Sequence, residues 1–560
     1  MGDKIAVKVI SSLNKCFTDE RIEEKEELGS LSLLANEVRS FQLACRMAAE
    51  HTGKLNFRIE TEGMPADSIR IFRVIQMPCP TPVIEDEHDD MVLRQEAGLY
   101  PDMCLPFGED EVYGLTNHSL VSFFFDINAE GVRPGEYSLS IRLISASGRA
   151  DGSGDSGELL AQACIAVTVA EQALVKQQII HTEWLYCDTL KVFYGVETFS
   201  KEHFSIIREY IRAAVQNGVN MLLTPVFTYA LDTKVGGERP DTQLVGVRKS
   251  KEGYSFNYDP LDRFIEIALS EGIEYFEIGH LFSQWGAKAA PKVMAETETG
   301  YRKIFGWDTP GDDEGYKEFL RQFVPALINH LKTLGVEEKT FFHVSDEPGV
   351  ECLERYKRCY ELIASMVPSE RIIDAMSNYS FYESGAIKMP VPATGALPKF
   401  LEAKVKPLWT YYCCDARIKL PNRYYAMPST RNRILGILLY KYDIAGFLHW
   451  GFNFYFSQYS VRPINPFVQT DCDGFAESGD AYLVYPGADY EPIPSLRLKV
   501  LRDAFQDIRR LRTLEEKVGR DKVLKLIEDI MGNISFTEYP IEISYYERLD
   551  EKVVSMLRED

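Results

Sequence analysis

Thr340-Phe341-Phe342-His343-Val344-Ser345-Asp346-Glu347-Pro348 sets two adjacent carboxylates at the end of a short apolar segment. Phe341, Phe342 and Val344 read as a buried strand. Pro348 disfavours helical backbone at Glu347, so the chain stays extended or turns at the acids before any helix begins. The plainer reading is a helix start, with Ser345 or Asp346 as N-cap and Leu353, Tyr356, Tyr360 and Ile363 as the core stripe beyond. Which reading holds depends on where this strand falls among its neighbours.

Working outward, seven further apolar segments have the same strand character: Ile179 to Trp184, Val219 to Leu223, Ile273 to Glu277, Arg371 to Asp374, Met389 to Val391, Pro407 to Thr410 and Ile444 to Leu448. Amphipathic stretches separate them, such as Phe204, Ile207, Ile211 and Ala214, and a closing one presents Leu501, Phe505, Ile508 and Leu511. Eight strand-helix units predict an α/β fold, a (β/α)8 TIM barrel over residues 173–515, in which the C-terminal strand ends carry the site. The acids then follow strand four. Residues 1–172 read differently. Leu55, Phe57 and Ile59 alternate, as do Ile69 and Ile71, and Tyr137, Leu139, Ile141 and Leu143, which predicts an N-terminal antiparallel β-sandwich. Pro134-Gly135 fits a type II turn between two of its strands, and Gly148 to Gly157 reads as a flexible hairpin tip. Residues 516–560 read as a C-terminal helical tail packed on the barrel.

Composition excludes several partners. With 62 basic and 84 acidic residues the formal net charge is −22, and no Lys/Arg block accumulates to track a phosphate backbone, so no nucleic acid is expected. The start, Met1 to Ile10, lacks an apolar signal core, and no apolar run approaches a membrane span, so a cytoplasmic protein with no membrane partner is expected. The 11 cysteines form no C-x-x-C pair and read as reduced structural thiols, with Cys413-Cys414 the one cluster. A homo-oligomer is compatible with this composition.

The predicted strand ends form one rim. Trp184 follows strand one, Asp232 lies in the loop after strand two, and His280, Gln284 and Trp285 follow strand three. His343 precedes the acids on strand four, Trp409 and Tyr411 end strand seven, and Trp450 and Asn453 follow strand eight. Flat rings that stack on a sugar's C–H face, interleaved with amides and carboxylates for its hydroxyls, suit a carbohydrate cleft. His280, His343 and His449 are an alternative metal set, but strand one lacks an H-x-H pair and no H-x-x-x-H occurs, so no metal and no cofactor are expected.

The chemistry follows from which carboxylates are absent. A retaining glycosidase with a carboxylate nucleophile needs a second acid about 5 Å from the first, yet strand seven ends in Tyr411-Tyr412 without Glu. Two neighbouring acids after strand four fit a substrate-assisted path, in which a 2-acetamido oxygen attacks its own anomeric carbon to give an oxazoline. Glu347 is then the acid/base, and Asp346 holds the acetamido N–H and offsets the developing positive charge. Tyr411 is a candidate for the acetamido oxygen, and Trp450 or Trp409 for the methyl wall. Two alternatives stay open: a glycosidase or transglycosylase on another sugar with Asp232, Glu277 or Asp415 as second carboxylate, and a non-catalytic carbohydrate-binding protein.

His343-Val-Ser-Asp346-Glu347-Pro348, Leu448-His-Trp450-Gly-Phe-Asn453, Ser478-Gly-Asp480 to Tyr485-Pro-Gly487 and Ser495-Leu-Arg497 to Arg502-Asp503 resemble the catalytic domain of glycoside hydrolase family 123. Asn36-Glu37 to Leu43 and Tyr100-Pro101-Asp102 are similar to that group's N-terminal sandwich. The resemblance implies a retaining, substrate-assisted β-N-acetylgalactosaminidase acting on an oligosaccharide or glycoconjugate, with the aspartate and glutamate roles carried onto Asp346 and Glu347.

Overall fold

The computed structural model describes residues 4–84, 87–146 and 157–559. The glycine-rich stretch expected as a hairpin tip lies outside them save for Gly157. By contact the chain divides into two compact units, one of residues 1–177, 423–441 and 493–560 and one of residues 178–422 and 442–492.

The first unit is built on two five-stranded sheets. One orders Ile5–Ser11, Val38–Met47, Val121–Asn128, Ile69–Cys79 and Gly98–Pro106, all antiparallel. The other orders Ser30–Leu33, Leu159–Val169, Gly135–Ser145, Leu55–Glu62 and Tyr113–Leu115, with a parallel pairing only at Ser30–Leu33. The alternation explains the core. Phe57 and Ile59 from one sheet meet Phe41, Leu43, Phe123 and Phe125 from the other in a single cluster, each buried side chain worth about 1.5–3 kcal/mol. Pro134-Gly135 joins strands of different sheets, so the hairpin turn expected there is a crossing between layers.

The division departs from the linear boundaries at 172 and 515. The helices Ser429–Lys441, Leu496–Val518, Arg520–Met531 and Ile543–Arg558 group with the two sheets, not with a barrel. Buried charge accounts for the tail. Asp550 accepts from Arg39 at 3.1 Å, Arg433 at 2.8 Å and Arg510 at 2.9 Å. A buried guanidinium without such a partner would cost several kcal/mol.

The second unit holds eight parallel strands, numbered in chain order: β1 Ile180–Glu183, β2 Met221–Thr224, β3 Tyr275–Ile278, β4 Thr340–Phe342, β5 Ile373–Ala375, β6 Met389–Val391, β7 Trp409–Tyr411 and β8 Gly446–His449. Six form a run in the order β4-β3-β2-β1-β8-β7, and β5 pairs with β6. Isolated parallel bridges, Phe342 to Ile372 and Ala393 to Tyr411, link that pair to the two ends of the run. Each of the first six strands is followed within the unit by a helix, among them Lys201–Gln216 and Glu314–Thr333. These two start at Ser200 and Asp313, whose side chains accept from His203 N and Tyr316 N, a cap worth about 1 kcal/mol. Two hairpins after β2 and β3 pair into a separate four-stranded sheet. Gly446 on β8 illustrates how tightly the strands pack: a Cβ there would sit 2.1 Å from the Trp409 ring on β7.

Candidate active site

The chain leaves β4 through His343 to Pro348, and no helix starts at the acids. Ser345 is not a cap: its hydroxyl accepts from Gly286 N at 3.2 Å and Ala287 N at 3.0 Å and donates to Ser283 O at 2.8 Å. Glu347 adopts φ +39°, a left-handed turn imposed ahead of Pro348, and helix follows only from a 3-10 turn at Val350–Cys352 that leads into the α-helix Leu353–Ala364. Three other residues of the same cavity share this backbone, Asp232 (φ +40°), Trp285 (φ +58°) and Tyr459 (φ +57°). Such conformations cost of order 1–3 kcal/mol each and persist only where neighbours impose them. Here Glu347 N donates to Ala375 O at 3.1 Å and Trp285 N to Asp346 O at 2.7 Å. Lys234 N donates to Tyr459 O at 2.9 Å and Ser460 Oγ to Asp232 O at 2.7 Å, which staples the loops after β2 and β8 together.

Asp346 and Glu347 open into a cavity of about 700 Å³, its mouth included, together with Trp184, Asp232, Gln284, Trp285, Tyr411 and Trp450. Three acids and several rings line it, with no lysine, arginine or histidine among the described residues. Trp450 is held by an Nε1 bond to Asp480 Oδ2 at 2.9 Å, and Gln284 Nε2 donates to Thr233 O at 2.9 Å. Tyr411 donates its hydroxyl to Glu347 Oε1 and shares a 3.2 Å bond with Ser377 Oγ.

Burial raises the affinity of all three acids for protons. The Asp232 carboxyl is pushed up to about 6 by burial, against the pull of Arg239 and with added repulsion from Glu347 and Asp480. Asp346 is held well above the carboxylate range by burial and then by repulsion from Glu347 and Asp232, with His343 opposing. Glu347 is raised by burial, and Tyr411 offsets part of this by bonding its anion. Repulsion between the two adjacent carboxyls disfavours their being ionised together.

Four residues expected on the rim do not line this cavity. Trp409 lies two residues down β7 from Tyr411, one layer deeper, where its ring sits 5.7 Å from that of Phe341. Asn453 is consumed by backbone: it accepts from Tyr186 N at 2.8 Å and donates to Tyr186 O and Thr189 Oγ1, both at 3.1 Å. His280 is buried, stacked on His343 at 4.3 Å, and its ring nitrogens have no hydrogen-bond partner among the described residues. His343 lies beneath the acids between two carboxylates, with Nε2 at 2.8 Å from Glu277 Oε2 and Nδ1 at 3.3 Å from Asp374 Oδ1. Burial opposes its charge, but these bonds outweigh it and raise its pKa to about 9. Two carboxylates facing its two ring nitrogens favour the imidazolium.

This arrangement also bears on the alternatives. His280, His343 and Asp374 bring potential ligand atoms within 4.8 Å of one another, yet both nitrogens of His343 already face carboxylates, and a metal would have to displace the proton each one donates. His449 stands apart, accepting from Gly451 N at 3.0 Å. Glu277 accepts from Thr182 and pairs with His343, and Asp415 is exposed beside Cys413. Of the three proposed second carboxylates, only Asp232 reaches the cavity. Asp374, not anticipated as a site residue, accepts from Val344 N at 2.9 Å, Ser345 N at 3.3 Å and Tyr356 Oη at 2.6 Å, and so fixes the backbone that presents the acids.

A family model described as glycoside hydrolase 123, catalytic domain, matches residues 184–514, more than half of the chain. The protein is a glycosidase by class, and the chain belongs to glycoside hydrolase family 123. Among solved structures, a family 123 glycoside hydrolase from Clostridium perfringens, studied for glycolipid glycan hydrolysis, is 16% identical over 99% of both chains with a TM-score of 0.72. That likeness establishes a shared fold. A Bifidobacterium dentium β-glucuronidase, 10% identical over 90% of this chain and 66% of that one, has a TM-score of 0.29, too slight to carry an argument. No curated protein matches the chain by sequence. No helix among the described residues is long and apolar enough to cross a membrane.

Proposed function

We propose that the eight parallel strands form a (β/α)8 barrel in a chain that also carries a β-sandwich, and that the enzyme removes a β-linked 2-acetamido sugar, N-acetylgalactosamine in particular, with retention through an oxazoline. The observation that carries this reading is the buried Asp346-Glu347 pair in a ring-lined cavity to which β7 contributes Tyr411 and no carboxylate. With no acid across the cleft from β7, the nucleophile is the substrate's own acetamido oxygen.

A single proton on the pair is what the two roles need. Tyr411 donates to Glu347 Oε1, a bond that favours the Glu347 anion and so the proton on Asp346. A bound acetamido N–H donates to Asp346 and draws it to the carboxylate, while the leaving oxygen beside Glu347 favours a protonated acid there. Substrate thereby shifts the proton to where it acts. Glu347 protonates the leaving oxygen and later activates water, a contribution of about 10²- to 10⁴-fold, or about 3–5 kcal/mol. Asp346 offsets the oxazolinium charge, with the His343 cation behind it restraining its proton affinity. Trp184, Trp285 and Trp450 supply stacking faces.

A second reading rests on Asp232, which lines the same cavity and could act as a carboxylate partner on a 2-hydroxy sugar. Aryl β-glycosides with and without the 2-acetamido group separate the two. Cleavage of the acetamido sugars with little turnover of the 2-hydroxy analogues supports the oxazoline path, and equal rates on both would transfer the nucleophile's role to Asp232.

A further inference from the structure

We infer that Cys413 and Cys414 form a dithiol site on the cavity wall that captures a trivalent thiophilic oxide, such as an organic arsenical. Neighbouring residues of a strand point to opposite faces, yet both cysteines line the cavity. The reason is local. The chain leaves β7 at Tyr411 and turns, with Ala416 N donating to Cys413 O at 3.1 Å. Asn422 Nδ2 locks the turn from inside, donating to Cys413 O at 3.0 Å and Ala416 O at 3.1 Å. Arg417 pins its far side on Glu477 Oε1 at 2.6 Å. Cys413 Sγ donates to Asp415 Oδ1 at 3.1 Å. The pair is preorganised for a bidentate acceptor, so little entropy is lost on capture.

The remaining cysteines make the site selective. Both members of the pair are half-buried, Cys164 is exposed and alone, and the other eight are buried. In the capture step the As=O bond is replaced by two As–S bonds, and its oxygen leaves as water with the two thiol protons. Arsenic stays trivalent, so no oxidant or reductant is needed. Asp415 is in hydrogen-bond contact with Cys413 to take its proton in passing. The bound group then lies beside Glu347 in the catalytic cavity.

The test treats the full-length protein with phenylarsine oxide at one equivalent and reads intact mass, the modified peptide, and turnover of an aryl glycoside. We expect one adduct per chain, mapped to the peptide containing Cys413 and Cys414, reversed by a 1,2-dithiol but not by a monothiol. Turnover should fall at least about tenfold. Cys164→Ser should retain the adduct, and Cys413→Ser and Cys414→Ser should each lose it. An adduct mapping elsewhere, none at all, or one that persists in both serine variants overturns the inference. The mass and peptide readouts need no sugar, so they stand or fall independently of the substrate proposed above, and mapping on the unmodified sequence does not depend on how the variants fold.

Discussion

Replacing Asp232 by Asn should make the protein more stable, and only above acid pH. The carboxyl is raised from 3.8 to about 6 in the fold, so the folded state binds its proton more tightly than the unfolded chain. The sign follows: well below pH 3.8 the group is neutral in both states and costs nothing, and the penalty builds as pH rises from about 4 to about 6 and is fully present above that. A shift of about 2 units at 1.36 kcal/mol each is worth about 3 kcal/mol at pH 8. Asn keeps the shape without the charge, and the shift is already net of the attraction of Arg239, so a gain of about 1–3 kcal/mol is expected. For a unit of this size that raises the melting temperature by about 2–5 °C at pH 8 and by almost nothing at pH 4. Thermal melts of both proteins from pH 4 to 8 measure it. A gain independent of pH, or a variant less stable than wild type at pH 8, refutes the claim that this carboxylate is held charged at the expense of the fold.

His343→Asn removes the cation between Glu277 and Asp374 that restrains the proton affinity of Asp346, so kcat should fall at least about tenfold with KM little changed, and the acidic limb of the kcat profile should move to higher pH. An unshifted limb would reduce His343 to a packing residue. Tyr411→Phe withdraws the hydrogen bond that favours the Glu347 anion; the alkaline limb should move to higher pH, and a move downward would contradict the contact.

The architecture was largely legible. Every one of the eight strands lies within two residues of an apolar segment in the sequence, because buried parallel strands are short continuous apolar runs, and the acids do follow the fourth. Depth was not legible. Trp409 and Tyr411 share a face, but two residues along a strand amount to about 6.6 Å, which separates a core ring from a cavity hydroxyl. Asn453 looked like a sugar ligand because amides bond sugars, whereas backbone groups of Tyr186 had the prior claim on it. The Glu277-His343-Asp374 string joins residues from β3, the end of β4 and β5, and no local spacing in the sequence announces such a meeting. The thiols of Cys413 and Cys414 read as structural because the turn that aims both into the cavity depends on Asn422, eight residues beyond. The tail's attachment through Asp550 rests on three arginines far apart in the chain, which charge counting along a helix does not reveal.

In this mechanism Glu347 moves the proton and Asp346 carries the charge. This division of roles is tested most directly by kcat/KM for Glu347→Gln and Asp346→Asn across 2-acetamido aryl glycosides of graded leaving-group pKa. Loss of the proton donor should hurt most where the leaving group needs protonation, so the ratio of Glu347→Gln to wild type should worsen steadily as that pKa rises. Every substrate passes the oxazolinium, so Asp346→Asn should lose on the order of 10²-fold or more with a ratio that stays flat. Reversed dependences would exchange the two roles, and near-wild-type activity in both variants would contradict the account.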